Sequence, residues 1–197
     1  MSDYKKYSII MVGGAACKKA LSILDEKREE LACRYSGHYL GNAEKRLKSE
    51  TTGMMSASDI MDVTGIRDFA DSKELIAGNT KEDKTAKKCT GEAVVCPCGT
   101  AGVFGALWDL GEMLKTGLKV NLCDIPIDQA AIELCDLVDI NPYESDSTGA
   151  YLIAVTFPGE IIDSLKEKGV AYKIIGYTTK ENARIITGPS ERYLTKP

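Results

Sequence analysis

Residues 96–102 read Cys-Pro-Cys-Gly-Thr-Ala-Gly and separate an apolar run at 92–96 from an amphipathic run at 103–115. A short glycine-bearing loop that opens a helix leaves backbone N–H groups unpaired, and the helix macrodipole favours an anion there. Gly99, Thr100, Ala101 and Gly102 are therefore candidate contacts for a phosphate or nucleotide, with Thr100 adding a hydroxyl. One exposed helix N-terminus favours an anion by only about 0.3–1 kcal/mol, so phosphate binding needs further partners. The competing reading is a tight turn with no ligand.

A second polar turn, Ser145-Asp146-Ser147-Thr148-Gly149, precedes the strongest apolar run of the chain. Asp146, Ser147, Thr148 and Gly149 join the candidate ligand residues, with Asp146 placed to orient a hydroxyl or a metal-bound water. Asp and Ser closing local hydrogen bonds is the structural alternative. Cys96 and Cys98 form the one clustered pair among seven cysteines, and are weak candidates for a soft metal. Two thiolates do not complete a site, and His38 is the only histidine. The remaining cysteines read as small core residues. Asp109 and Glu112 share one helix face as a possible acidic pair or as a solvated edge. Trp108, the single tryptophan, reads as packing between helix and sheet, and His38 as a surface residue. No catalytic residue is assigned.

The 197 residues carry a net charge of −4, which argues against a nucleic-acid partner. No apolar run approaches the roughly 20 residues needed to span a bilayer. The apolar piece near the N-terminus is too short for a signal peptide, so a cytoplasmic location is expected.

These motifs need elements to hold them. An apolar run at 7–12 predicts a strand, Gly13-Gly14 a turn, and helical spacing a helix over about 16–33. Strand, Gly-Gly, helix opens a phosphate-cradle pattern, but the third glycine of a dinucleotide fingerprint and the Walker lysine pattern are both missing. Residues 36–91 form an insertion, with helical character at 41–48 and 56–63, Ser58-Asp59 as a cap, and an exposed loop at 78–90. The second half reads as a helix over 103–115 ended by Gly117, a strand at 118–122, a helix over 129–138 capped by Asp128, a strand at 151–157 and a helix from Pro158 ended by Gly169. Strands at 172–177 and 183–187 follow, around the turn 180–182. Such alternation predicts an α/β (α+β) fold, a mixed sheet with helices on its faces, whose last unit looks partly ferredoxin-like. The whole chain, 1–197, is read as one domain.

From residue 92 onward the text resembles the C-terminal domain of the aminoimidazole ribonucleotide synthetase superfamily, and most of all its hydrogenase-maturation-related branch. The resemblance rests on GVFGALWDLGE at 102–112, GLKV at 117–120, IPI at 125–127, DINPY at 139–143, STGAYLIAV at 147–155 and KIIG at 173–176. The opening at 8–24 resembles the first strand and helix of that domain. In that superfamily a separate N-terminal domain supplies most ATP and metal contacts and the main dimer surface, and nothing in this sequence corresponds to it. An Asp-x-Thr-x-Gly-Gly type loop usually precedes the motif helix; here Pro97 stands at its acidic position and Gly99 at its threonine position. The branch's carbamoyl-accepting terminal cysteine is not matched, because residues 193–197 read YLTKP. The resemblance therefore implies a non-catalytic or regulatory synthetase-related domain that binds a small phosphorylated ligand or a protein partner and self-associates as a homodimer. Its alternative is a subunit that completes an ATP-dependent enzyme with a separately encoded ATP-binding domain.

Overall fold

The computed structural model describes residues 4–52, 59–60, 62 and 93–196. Among the described residues, seven strands form one mixed sheet in the order β2-β4-β1-β5-β3-β6-β7. They are β1 (Ser8–Val12), β2 (Ala93–Pro97), β3 (Gly117–Asn121), β4 (Tyr151–Val155), β5 (Tyr172–Thr179), β6 (Arg184–Thr187) and β7 (Arg192–Tyr193). The helices are α1 (Cys17–Glu26), α2 (Arg28–Arg34), α3 (Gly37–Thr52), α4 (Gly102–Leu114), α5 (Gln129–Leu137) and α6 (Pro158–Glu167).

From Ile9 to Val12, β1 is apolar and buried because both of its faces are covered. Ile9 and Met11 join Val94, Cys96, Leu152 and Ala154 against Val103, Leu107 and Leu110 of α4. Ile10 and Val12 join Val95, Ile153 and Val155 against Ile161 and Leu165 of α6. A third cluster links α1, α2, α3 and α5 through Leu24, Leu31, Leu47 and Leu134. Asp128 caps α5 as expected, accepting from Ala130 N at 2.7 Å, and Arg46 of α3 holds the same carboxylate with Nε at 2.9 Å.

Two local expectations change, at the first helix and at the end of α4, and the sheet adds pairings that the sequence reading left open. The helix expected over 16–33 is two helices, broken at Lys27, whose φ of −114° and ψ of 24° leave the helical region. Lys115, not Gly117, ends α4, taking φ 52° while its N–H donates to Glu112 O. Gly117 opens β3, where an added Cβ would stand 2.0 Å from Glu181 O and 2.3 Å from Ala183 O. The strands on either side of the turn 180–182 do not pair with each other, because β3 lies between them, antiparallel to β5 and parallel to β6. β7 was not foreseen at all.

In the insertion, the helix expected at 41–48 is the longer α3. Residues 59, 60 and 62 are helical, and Ile60 is buried in the α6-side cluster. The cap at Ser58 and the loop at 78–90 lie outside the described residues.

Candidate functional site

The sheet register brings three turns to one edge. Val12 of β1 and Pro97 of β2 both pair with Tyr151 of β4. β1 and β2 are each antiparallel to β4, so both run toward this edge, and α1 and α4 both start there. The turn 145–149, which leads into β4, lies at the same place.

Ser147 ties the three turns together. Its buried Oγ accepts from Ala16 N at 2.9 Å and donates to Ser145 O at 2.9 Å, while its N–H donates to Gly99 O at 2.9 Å. Ala16 holds φ 56° to make that contact possible. Cys98 N donates to Ala150 O at 2.9 Å, and Lys19 N to Asp146 O at 3.2 Å.

The structure therefore brings Gly99, Gly102, Ser147 and Gly149 into one cluster. Gly102 has φ 69°, and an added Cβ would lie 2.6 Å from Tyr143 O and 2.7 Å from Ser145 O. The 3-10 turn Pro142–Glu144 packs on the start of α4, where Tyr143 stacks on Phe104 with ring centres 5.4 Å apart. Thr100 and Ala101 are exposed at the tip of the loop, and no side chain caps the start of α4. Asp146 spends its carboxylate locally, with Oδ1 accepting from Thr148 N at 2.9 Å and from Thr148 Oγ1. Thr148 is exposed beside it.

Glu50 belongs to this edge although no motif marks it. Its Oε2 accepts from the Cys17 thiol at 3.1 Å and lies 2.3 Å from where a Cβ on Gly14 would stand. The Gly13-Gly14 turn thus leaves room for a carboxylate carried on another helix. Only the packing of α3 on α1 reveals this, since a lone glutamate on an amphipathic helix gives no signal in sequence. Burial first, and then the Glu50 carboxylate, push the Cys17 thiol well above its usual range. It is a protonated donor, not a nucleophile.

The other singled-out residues lie elsewhere. Cys96 and Cys98 are buried in the α4-side core; the Cys96 thiol donates to Ala106 O at 3.5 Å, and burial pushes the Cys98 thiol far up. Among the described residues, no three His, Cys, Asp or Glu side chains are grouped to hold a metal ion. Glu112 does not pair with Asp109 functionally: its Oε1 accepts from Arg184 Nη2 at 2.6 Å, and Asp109 is exposed. Trp108 packs at the helix–sheet boundary with Arg184 over its ring. His38 is exposed beside Asn42.

No protein-family model matches this sequence, and no curated protein matches it either. Solved structures do. HypE of E. coli, a hydrogenase maturation protein, aligns with a TM-score of 0.61 and 15% identity over 100% of this chain and 51% of its own. A chain of a HypE–HypF complex aligns at 0.60 and 14% over 99% of this chain and 54% of its own. Thiamine-monophosphate kinase of Stenotrophomonas maltophilia K279a aligns at 0.54 and 11% over 93% and 50%. The chain shares the fold of these structures. At these identities the likeness speaks for fold alone. The chain spans about half the length of the structures that it matches.

Proposed function

We propose that this chain is a non-catalytic, synthetase-related binding domain whose ligand is a small phosphorylated molecule held at the three-turn edge. One observation carries the reading: α1 and α4 begin at the same edge, and Ser147 locks their turns together. Two positive helix ends then act on one region, which exceeds what a single end supplies. Thr100, Ala101 and Thr148 are the exposed groups around the uncapped start of α4, and so the phosphate is assigned there. The Gly13-Gly14 turn already faces the Glu50 carboxylate. The uncapped start of α4 offers backbone donors and a positive helix end, which supports binding of an anion.

The test is a thermal-shift and calorimetric screen of the full chain with inorganic phosphate, nucleotides and sugar phosphates, with and without Mg²⁺. A ligand at 100 times its Kd adds about 2.7 kcal/mol to stability. A saturable rise in Tm that Thr100→Ala weakens is expected. A flat response to every phosphorylated compound overturns the reading.

A second reading rests on the half-length match. One matching HypE structure is solved with ATP, and another with HypF. The chain would then complete an ATP-dependent enzyme together with a separate ATP-binding protein. ATP turnover that needs both proteins together supports this; equal turnover by the ATP-binding protein alone removes it. We further assign the chain a homodimeric state and a cytoplasmic location. Ile174 and Tyr177 are exposed on β5, the six described cysteines are free thiols, and no described helix is long and apolar enough to cross a membrane. Sedimentation tests the dimer.

A further inference from the structure

Trp108 and Glu112 stand four residues apart on α4 and so share a helix face. Arg184, the first residue of β6, lies across that face. Its guanidinium carbon sits 4.1 Å from the centre of the Trp108 ring. Its Nε lies in a notch left by Gly111, 2.4 Å from where a Cβ on that glycine would stand. The residue is only 8% exposed. Burying an arginine calls for partners on its five N–H donors. Among the described residues Glu112 is the only hydrogen-bond partner of the guanidinium, through Nη2, and the buried Nε has none.

Beside this under-satisfied guanidinium is a cleft of about 280 Å³ whose lining includes Trp108, Glu112, Asn182, Arg184, Tyr193 and Leu194. That volume is just below the usual span for small-molecule sites, about 300–1,000 Å³, so it suits a ligand of few atoms. The cleft lies at the other end of the sheet from the three-turn edge. β6 runs parallel to β3, β3 antiparallel to β5, and β5 antiparallel to β1, so β6 begins at the edge where β1 begins.

We propose that this cleft is a second binding site, for a small organic carboxylate, with Arg184 as its anchor and Glu112 as the group that the ligand displaces. The chemistry points to a carboxylate because one already occupies the guanidinium. The Glu112 side chain is 63% exposed, so it can swing into water and release Nη2. The planar group between the indole and the Gly111 notch then offers its Nη1 and Nη2 edge, and two parallel N–H···O bonds match a carboxylate. Trp108 braces one face of the guanidinium and keeps the fork oriented.

Trp108 is the only tryptophan, so its emission reports on the cleft directly. The full chain is titrated with succinate, acetate and inorganic phosphate at constant ionic strength. A saturable change with succinate is expected, with phosphate weaker. Glu112→Ala removes the competing carboxylate and is expected to tighten succinate binding about threefold or more, the scale of one exposed ion pair. Arg184→Lys loses the fork and is expected to weaken binding at least about tenfold, as bidentate sites do not tolerate lysine. The proposal falls if neither wild type nor Glu112→Ala responds saturably, if Glu112→Ala binds no tighter, or if phosphate binds better than succinate. Far-UV circular dichroism and the melting temperature establish that Glu112→Ala is folded, and the tightening arm then decides by itself, whatever Arg184→Lys does.

Discussion

The Cys17 thiol donates to Glu50 Oε2 across 3.1 Å, which sets an α3 carboxylate on the turn that opens α1. A negative group near a helix N-terminus contributes about 0.3–1 kcal/mol. For a chain of this size each kcal/mol moves Tm by about 2–4 °C. Glu50→Gln is therefore expected to lower Tm by about 1–4 °C and to bind inorganic phosphate more tightly, because an internal anion is gone. Differential scanning fluorimetry with and without phosphate checks both effects. An unchanged Tm would show that Glu50 contributes nothing through charge.

Two glycines of the same loop separate backbone strain from crowding. Gly99 has φ 58° with open space where a Cβ would go, while Gly102 has φ 69° with three backbone atoms within 2.8 Å of that position. Gly99→Ala is expected to lose about 1–2 kcal/mol, the penalty of a left-handed non-glycine residue. Gly102→Ala must also push the 142–145 segment off α4, so its loss is expected to be at least twice as large. Urea unfolding of both variants tests the ranking, and equal losses would mean that the segment yields freely.

Asp128 joins two helices, capping α5 and accepting from Arg46 of α3. Its replacement by alanine is expected to cost about 1–2 kcal/mol, the usual range for a lost N-cap. Arg46→Ala should lose less, because Arg46 is half exposed. Burial alone would raise the Asp128 carboxyl, but Arg46 and the Ala130 N–H outweigh it and hold the group below its ordinary 3.8. A carboxyl depressed by folding adds stability above its ordinary value and loses it as pH falls through the folded value. Wild type should therefore lose more stability than Asp128→Asn between about pH 5 and pH 2. Parallel acid-unfolding curves would contradict this.

The alkaline limb has the opposite sign. Burial raises the Cys17 and Cys98 thiols from an ordinary 9.0. A group raised by folding gives stability that is full below its unfolded value and falls away as pH climbs past it. Denaturant midpoints are expected to drop from about pH 8 to about pH 10, and Cys98→Ala should flatten that drop.

Exposure sorts the thiols. Cys33 and Cys123 are exposed, whereas Cys17, Cys96, Cys98 and Cys135 are buried. Mass-spectrometric mapping after brief alkylation at neutral pH should find label on the first two and little on the other four until denaturant is added. Rapid native labelling of Cys98 would mean that the α4-side core opens.

Much of the fold was legible because its signals are local. The apolar runs of β1 and β4, the Asp128 cap, the Pro158 start and the Gly169 stop each depend on a few neighbouring residues. The break at Lys27 was not legible, since its residues suit a helix and only packing of α2 against α3 turns the chain. Lys115 in the left-handed region was hidden for the same reason: Gly117, the natural stop, is needed to let β3 approach Glu181 O and Ala183 O.

The site divides in the same way. From sequence alone come the two small-residue turns and their helix starts, because glycine, threonine and aspartate near a helix boundary have known backbone roles. The meeting of those turns through Ser147, the arrival of Glu50 over Gly14 and the burial of Arg184 against Trp108 belong to tertiary structure. Each joins residues far apart in the chain, and sheet register and helix packing, which no local spacing encodes, decide which of them touch.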